Sequence, residues 1–137
     1  MKKIHLFVLS LVAAVMLLPA CSAGSKLELA IAAASAECPM KVDEGVNVID
    51  IVSEDNNLVY KFEIDEEVSE ITLEDLANPT LKSLMEQGMK ESFLSDSDED
   101  EKELIDLCRE AKYGVIFRFI GKESGDHIDL KIDAEEL

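Results

Sequence analysis

The side chains of this chain with chemistry to offer are three cysteines (Cys21, Cys38 and Cys108), a histidine at 127 and a surplus of carboxylates. Two carboxylates do general acid–base work when they face one another in a shared site. Glu63, Asp65, Asp129 and Asp133 fall on or beside two strand-like segments, and a small hydrolase would need them to meet across a sheet. With so many acids in the chain, chance proximity is expected, and a solvated sheet face is the plainer reading. Asp96-x-Asp98-x-Asp100 opens like a calcium loop. Glu101 stands where that loop needs glycine, and Leu107 where it needs a bidentate glutamate. The run reads instead as an acidic helix start, where carboxylates meet the positive end of the dipole. His127 is a lone histidine beyond the N-terminal segment, and zinc takes three or four ligands. A Cys–His nucleophile would need Cys38 or Cys108 exposed and low in pKa, whereas both read as buried or bonded. G-x-S-x-G, a glycine-rich phosphate loop and C-x-x-C do not occur. The pattern names no catalytic residue, no metal ligand set and no cofactor, and it does not read as an enzyme.

Composition narrows the partners. Lysine and arginine number 13 against 30 aspartates and glutamates, a formal charge of −17. Such a surface repels phosphate backbones, so nucleic acid is excluded as a partner. There is no Trp and aromatics make up 5% of the chain, which argues against a stacking platform for sugars or single strands.

The first residues read as an address. Lys2 and Lys3 precede an apolar run from Ile4 to Leu18, and small residues follow. That is the layout of a secretory signal. The run is shorter than the ~20 apolar residues a membrane-spanning helix needs. Leu18-Pro19-Ala20-Cys21 resembles the lipobox of bacterial lipoproteins, with Pro19 departing from the usual small or β-branched residue. The resemblance covers only residues 1–21. It implies acylation of Cys21 on sulfur, cleavage before it, and acylation of the new amino terminus. The alternative is ordinary cleavage after Ala23, which leaves a soluble secreted protein. Without residues 1–20 the charge is more acidic still, −19, because Lys2 and Lys3 are lost and no acid is.

Cysteine parity bears on the same point. Three is an odd count for an exported chain. With lipid on Cys21, an even pair remains, and Cys38 and Cys108 could form a disulfide outside the cytoplasm. The alternative is two separate buried thiols behaving as small hydrophobes.

The elements that must position these residues follow from periodicity. Residues 1–20 are the signal, 21–25 a tether and 26–137 a single domain. Leu27, Ala30, Ile31 and Ala34 repeat at helical spacing up to Cys38-Pro39. Two strands follow, 46–53 and 58–64, joined by a polar turn. Thr72 and Asp75 have the spacing of a helix cap, and Asn78-Pro79 starts a longer helix with Leu81, Leu84, Met85, Met89 and Phe93 on one face. A further helix runs over 99–112 with Cys108 inward, and the chain ends in a hairpin over 113–132.

The expected fold is α+β, a four-stranded antiparallel sheet with helices packed on one face. Tyr60, Phe62, Phe117 and Phe119 read as core under those helices. Its two helix–hairpin units look alike in layout, each leading from a cysteine to a Gly-Val pair and ending on Ile-Asp. They suggest an internal duplication about a pseudo-twofold. The functional expectation is a lipid-anchored protein of the bacterial cell envelope, periplasmic or surface-exposed. It would meet the membrane through Cys21 and act as a small noncatalytic binding or accessory module for an unknown ligand or protein. Its contact surfaces would be the open sheet face and the acidic loops at 65–70 and 95–100. The rivals are a soluble secreted protein, a cation-binding surface protein, and a small hydrolase using the sheet-face carboxylates.

Overall fold

A computed structural model describes residues 23–95 and 99–137. The signal, the lipobox with Cys21, and Asp96 and Asp98 lie outside the described residues. The chain opens with helix α1 (Ala23–Ala36) and enters strands β1 (Met40–Asp43), β2 (Val46–Glu54) and β3 (Asn57–Ile64). Three helices follow: α2 (Leu73–Ala77), α3 (Pro79–Ser95) and α4 (Glu99–Ala111). Strands β4 (Gly114–Gly121) and β5 (His127–Ile132) and a single 3₁₀ turn (Ala134–Glu136) complete it. Helix α1 starts at Ala23, so the second half of the expected tether is helical.

Local chemistry makes the joints. Asp55 and Asn56 have φ of 50° and 59°, the left-handed pair that a two-residue hairpin turn requires. Thr72 and Asp75 cap α2 reciprocally, each side chain accepting from the other's backbone N–H at 3.2 Å. The Asn78 side chain accepts from the N–H groups of Thr80 and Leu81, satisfying two of the free donors at the start of α3.

The sheet has five strands in the order β1-β2-β3-β4-β5. This corrects the expectation of four antiparallel strands in two respects. A short edge strand, β1, pairs with β2, and β3 runs parallel to β4. Parallel pairing follows from the connection. After β3 the chain passes through α2, α3 and α4 and re-enters the sheet beside β3 in the same direction, which a long helical crossover permits and a tight turn does not. The expected pseudo-twofold also goes. A twofold normal to the sheet would make its two central strands antiparallel, and β3 and β4 are parallel.

One side of the sheet carries the core. Leu58, Tyr60, Phe62 and Ile64 of β3 lie beside Val115, Phe117 and Phe119 of β4, all buried. Tyr60 stacks on Phe117 with ring centroids 5.5 Å apart, and Phe62 on Phe119 at 5.0 Å. Phe93 of α3 meets Phe117 edge-on at 5.9 Å. Helix α1 contributes Leu27, Ala30, Ile31 and Ala34 to the same core, and α4 contributes Leu104, Ile105, Leu107 and Cys108. The expected helical faces of α1 and α4 are therefore the buried ones. That of α3 is buried only in part, since Leu81 and Leu84 are 37% and 62% exposed.

Gly114 sets the start of the central pairing. Its N–H donates to Asn56 O at 3.1 Å. A Cβ there would lie 2.6 Å from Asn57 Oδ1 and 3.0 Å from the Ile132 carbonyl oxygen. Gly88, by contrast, sits inside α3 with nothing within 4 Å of its would-be Cβ, so close packing does not explain it. The two glycines therefore respond oppositely to the same substitution. Gly114→Ala lowers stability by about 2 kcal/mol, as expected for a clash in a close-packed strand. Gly88→Ala raises it by about 0.5–1 kcal/mol through helix propensity. Urea midpoints of the two variants check both signs.

Candidate functional site

The outer face of the sheet, away from the aromatic core, holds Glu63 and Asp129 among the carboxylates singled out above. Arg118 of β4 organises it. Its Nε donates to Asp129 Oδ1 at 2.8 Å and its Nη2 to Asp129 Oδ2 at 3.1 Å. The same guanidinium reaches Glu54 on β2, with Nη1 at 3.0 Å and Nη2 at 3.3 Å. To do so it crosses β3. Val59 lies on that route and is 0% exposed, although it faces away from the helices. The long side chain thus covers an apolar residue while its charged end is neutralised from both sides. Arg118 holds the Glu54 carboxyl below its ordinary range, through its hydrogen bonds first and its charge second.

The four expected acids are not brought together. Asp129 is taken up by Arg118. Asp65 follows β3 and lies 3.6 Å from Lys122, whereas Asp133 follows β5 and lies 3.5 Å from Lys131. Ile64 pairs with Gly121 at one end of β4, and Ile132 pairs with Val115 near the other. Asp65 and Asp133 therefore stand at opposite ends of the sheet. Glu63, Ile120 and His127 share a row, with two strand spacings of ~4.8 Å each between the acid and the histidine. His127 also borders a shallow depression of about 350 Å³ with Lys82, Asp129 and Leu76. Among the described residues no group of three or more His, Cys, Asp or Glu side chains is placed to hold a metal.

The thiols are free in the structure, so the expected disulfide between Cys38 and Cys108 is not formed. Cys38 lies just past the end of α1 and turns back on it, with Sγ 3.6 Å from the Ala34 carbonyl oxygen. Cys108 is 0% exposed within the core face of α4. Burial pushes the Cys108 thiol up to about 12. Burial, then Asp50, then Glu37 push Cys38 up as well. Both shifts disfavour the thiolate, the form a nucleophile needs.

The feature the sequence did not disclose lies on the helical side. Helix α3 leans toward β5, where Glu86 Oε2 accepts from the Lys131 backbone N–H at 3.2 Å. That leaves a cleft of about 90 Å³ between Met85 of α3 and the β1–β2 end of the sheet. Phe62, Ile64 and Phe119 form its floor, Val42 and Val46 its far wall, and Ile71 and Asp43 its mouth. Ile71 is 36% exposed. On a helix, Leu81, Leu84 and Gly88 fall on the side of Met85 opposite Glu86, so the exposed leucines continue the apolar surface beyond the cleft. The signal was present in part: the apolar stripe of α3 is wider than its buried portion. Nothing in the local pattern around Val42 or Ile71 pointed to it.

Neither a family model nor a curated protein matches the chain. Its architecture does match a crystal structure from Pseudomonas aeruginosa, a protein provisionally described as secreted. The two share 12% identity over 83% of this chain and 91% of that one, with a TM-score of 0.61. The fold has a precedent. A pilotin of the Vibrio vulnificus type 2 secretion system also aligns, at 13% identity over 98% of this chain and 92% of that one, with a TM-score of 0.46. At these identities the Pseudomonas likeness establishes the α+β fold with its mixed sheet, and nothing finer.

Two measurements test this geometry. Arg118→Ala uncovers Val59 and costs about 1 kcal/mol. Because the folded pKa of Glu54 is lowered, its contribution is present above the unfolded value of ~4.3 and is lost as pH falls through the folded value. Stability of the wild type therefore falls more steeply below about pH 4 than that of Arg118→Ala, as acid titration of the unfolding midpoint reads directly. For the thiols, alkylation of the folded protein at neutral pH reaches Cys38 slowly and Cys108 not at all. In denaturant without reductant both react. A pair that labels only after reduction would restore the disulfide.

Proposed function

We propose that this chain is a membrane-tethered lipoprotein of the bacterial cell envelope and works as a small binding or accessory module. The observation that carries the binding half is the apolar cleft between α3 and β1–β2, open at Ile71 and continued by exposed Leu81 and Leu84. Concave apolar surface beside exposed leucine is the form a docking site takes. The outer sheet face is a weaker candidate, because Arg118 already satisfies its central acids and covers Val59. The lipobox-like Leu18-Pro19-Ala20-Cys21 supports the tether. The shared fold of a Pseudomonas protein described as secreted fits an exported address. No helix among the described residues is long and apolar enough to cross a membrane.

Intact mass of the protein extracted from bacterial membranes tests the reading. The expected mass is that of a chain beginning at Cys21 plus acyl groups, and Cys21→Ser removes the acyl mass and the membrane association together. An unlipidated chain beginning at Gly24 would overturn the tether and leave a soluble secreted binding protein.

A further inference from the structure

We infer that the cleft between α3 and the β1–β2 end takes a basic amphipathic segment of another protein, seating one aliphatic side chain in the cavity and its cations on the rim. The inference rests on the binding-module reading and adds the chemistry of the partner. Size comes first. A cavity of about 90 Å³ has the room of roughly three water molecules at ~30 Å³ each, close to one aliphatic side chain. Its floor of Phe62 and Phe119 and its walls of Val42 and Met85 offer no hydrogen bond, so the inserted group is apolar. Leu81 and Leu84 extend this surface along one side of α3 over about one helical turn, a length that suits successive anchors of an amphipathic segment.

Charge selects among occupants. Asp43 lines the mouth, with Glu44 next to it in the β1–β2 turn. Glu70 precedes Ile71, and the loop carrying Glu66 and Glu67 packs against that turn, where the Asp65 N–H donates to Gly45 O at 2.8 Å. Lys41 of β1 and Lys122 are the cations near this end among the described residues, and Lys122 is engaged with Asp65 at 3.6 Å, so the acids outnumber them. The rim is therefore acidic around an apolar centre. A second copy of this chain would bring another strongly acidic surface to it, and an anionic lipid surface would be repelled for the same reason. A basic amphipathic segment satisfies both parts of the site.

The test uses the full lipidated chain in discs of neutral phosphatidylcholine, with empty discs as the blank. The probe is a helical Leu/Lys peptide bearing one Trp, and the control is its Leu/Glu counterpart. The protein has no Trp, so all indole emission reports the peptide. The expected result is a blue-shifted, saturable signal with the Leu/Lys peptide, weakened by salt. The double variant Ile71→Asp/Leu84→Asp, both at exposed positions, weakens binding by about tenfold or more while thermal unfolding stays cooperative. Glu44→Lys/Glu70→Lys weakens it and flattens the salt dependence. Binding of the Leu/Glu peptide as tight as that of Leu/Lys would overturn the basic partner and leave the cleft as a docking site. A Leu/Lys signal no greater than on empty discs, or unchanged by the Ile71/Leu84 variant, would overturn the inference altogether. The mass of Cys21-initiated protein decides the tether independently of either result.

Discussion

Everything in this domain depends on β3 finding β4. The two strands are parallel neighbours, Asn57–Ile64 against Gly114–Gly121, with all of α2, α3 and α4 between them in sequence. Closing so long a connection costs chain entropy before any contact forms. What offsets it is the aromatic pairing of Tyr60 with Phe117 and Phe62 with Phe119, together with the burial of both strands' inner faces. Gly114 and Asn57 set where the pairing begins, because no side chain fits at that crossing. Once it is set, the remaining strands add by short antiparallel turns, and the helices of the connection have one face to cover.

The cleft follows from that arrangement. Four helical elements, α1 to α4, share an inner sheet face five strands wide, the short α2 contributing Leu73 and Leu76. Helix α1 lies against β2 and α4, while α3 keeps to the β5 side, where Glu86 meets the edge strand. The corner over β1 and the start of β2 is bordered by Met85 of α3 and by Ile71, with a cleft between them and the sheet. The opposite face had the better claim from sequence alone, since its strands alternate with charged residues. Its acids turn out to be engaged: Arg118 draws Glu54 and Asp129 to one point and leaves a covered, self-neutralised surface.

What was legible in the sequence was local. The turn at Asp55-Asn56, the Thr72–Asp75 cap, the Asn78-Pro79 start and the buried faces of α1 and α4 each depend on a few adjacent residues and on a period. Partner choice was not legible. A strand of four residues such as β1 is too short for alternation to register, and alternation in β3 and β4 is the same for parallel and antiparallel neighbours. Leu81 and Leu84 share the period of Met85 and Phe93, but a period cannot tell which part of a stripe will have something to lie against. Parity raised a bond between Cys38 and Cys108, yet parity counts sulfurs without knowing that one points back at the end of the helix before it. Asp65 and Asp133 matched one another in the apparent repeat, and the parallel centre put them at opposite ends.

Helix α1 begins at Ala23, with only Ser22 between it and Cys21. Two residues can span at most about 7 Å. Helix α1 is also welded to the core by Leu27, Ala30, Ile31 and Ala34, so there is no slack further along. Were Cys21 acylated as proposed, the domain would be moored flush to the bilayer rather than floating on a long leash. A partner in the same membrane would then be found by two-dimensional search, at a local concentration that a free domain in solution does not reach. The moored domain would also present a narrow range of headings, so that which neighbours can be met would be decided by the height of their own segments above the lipid.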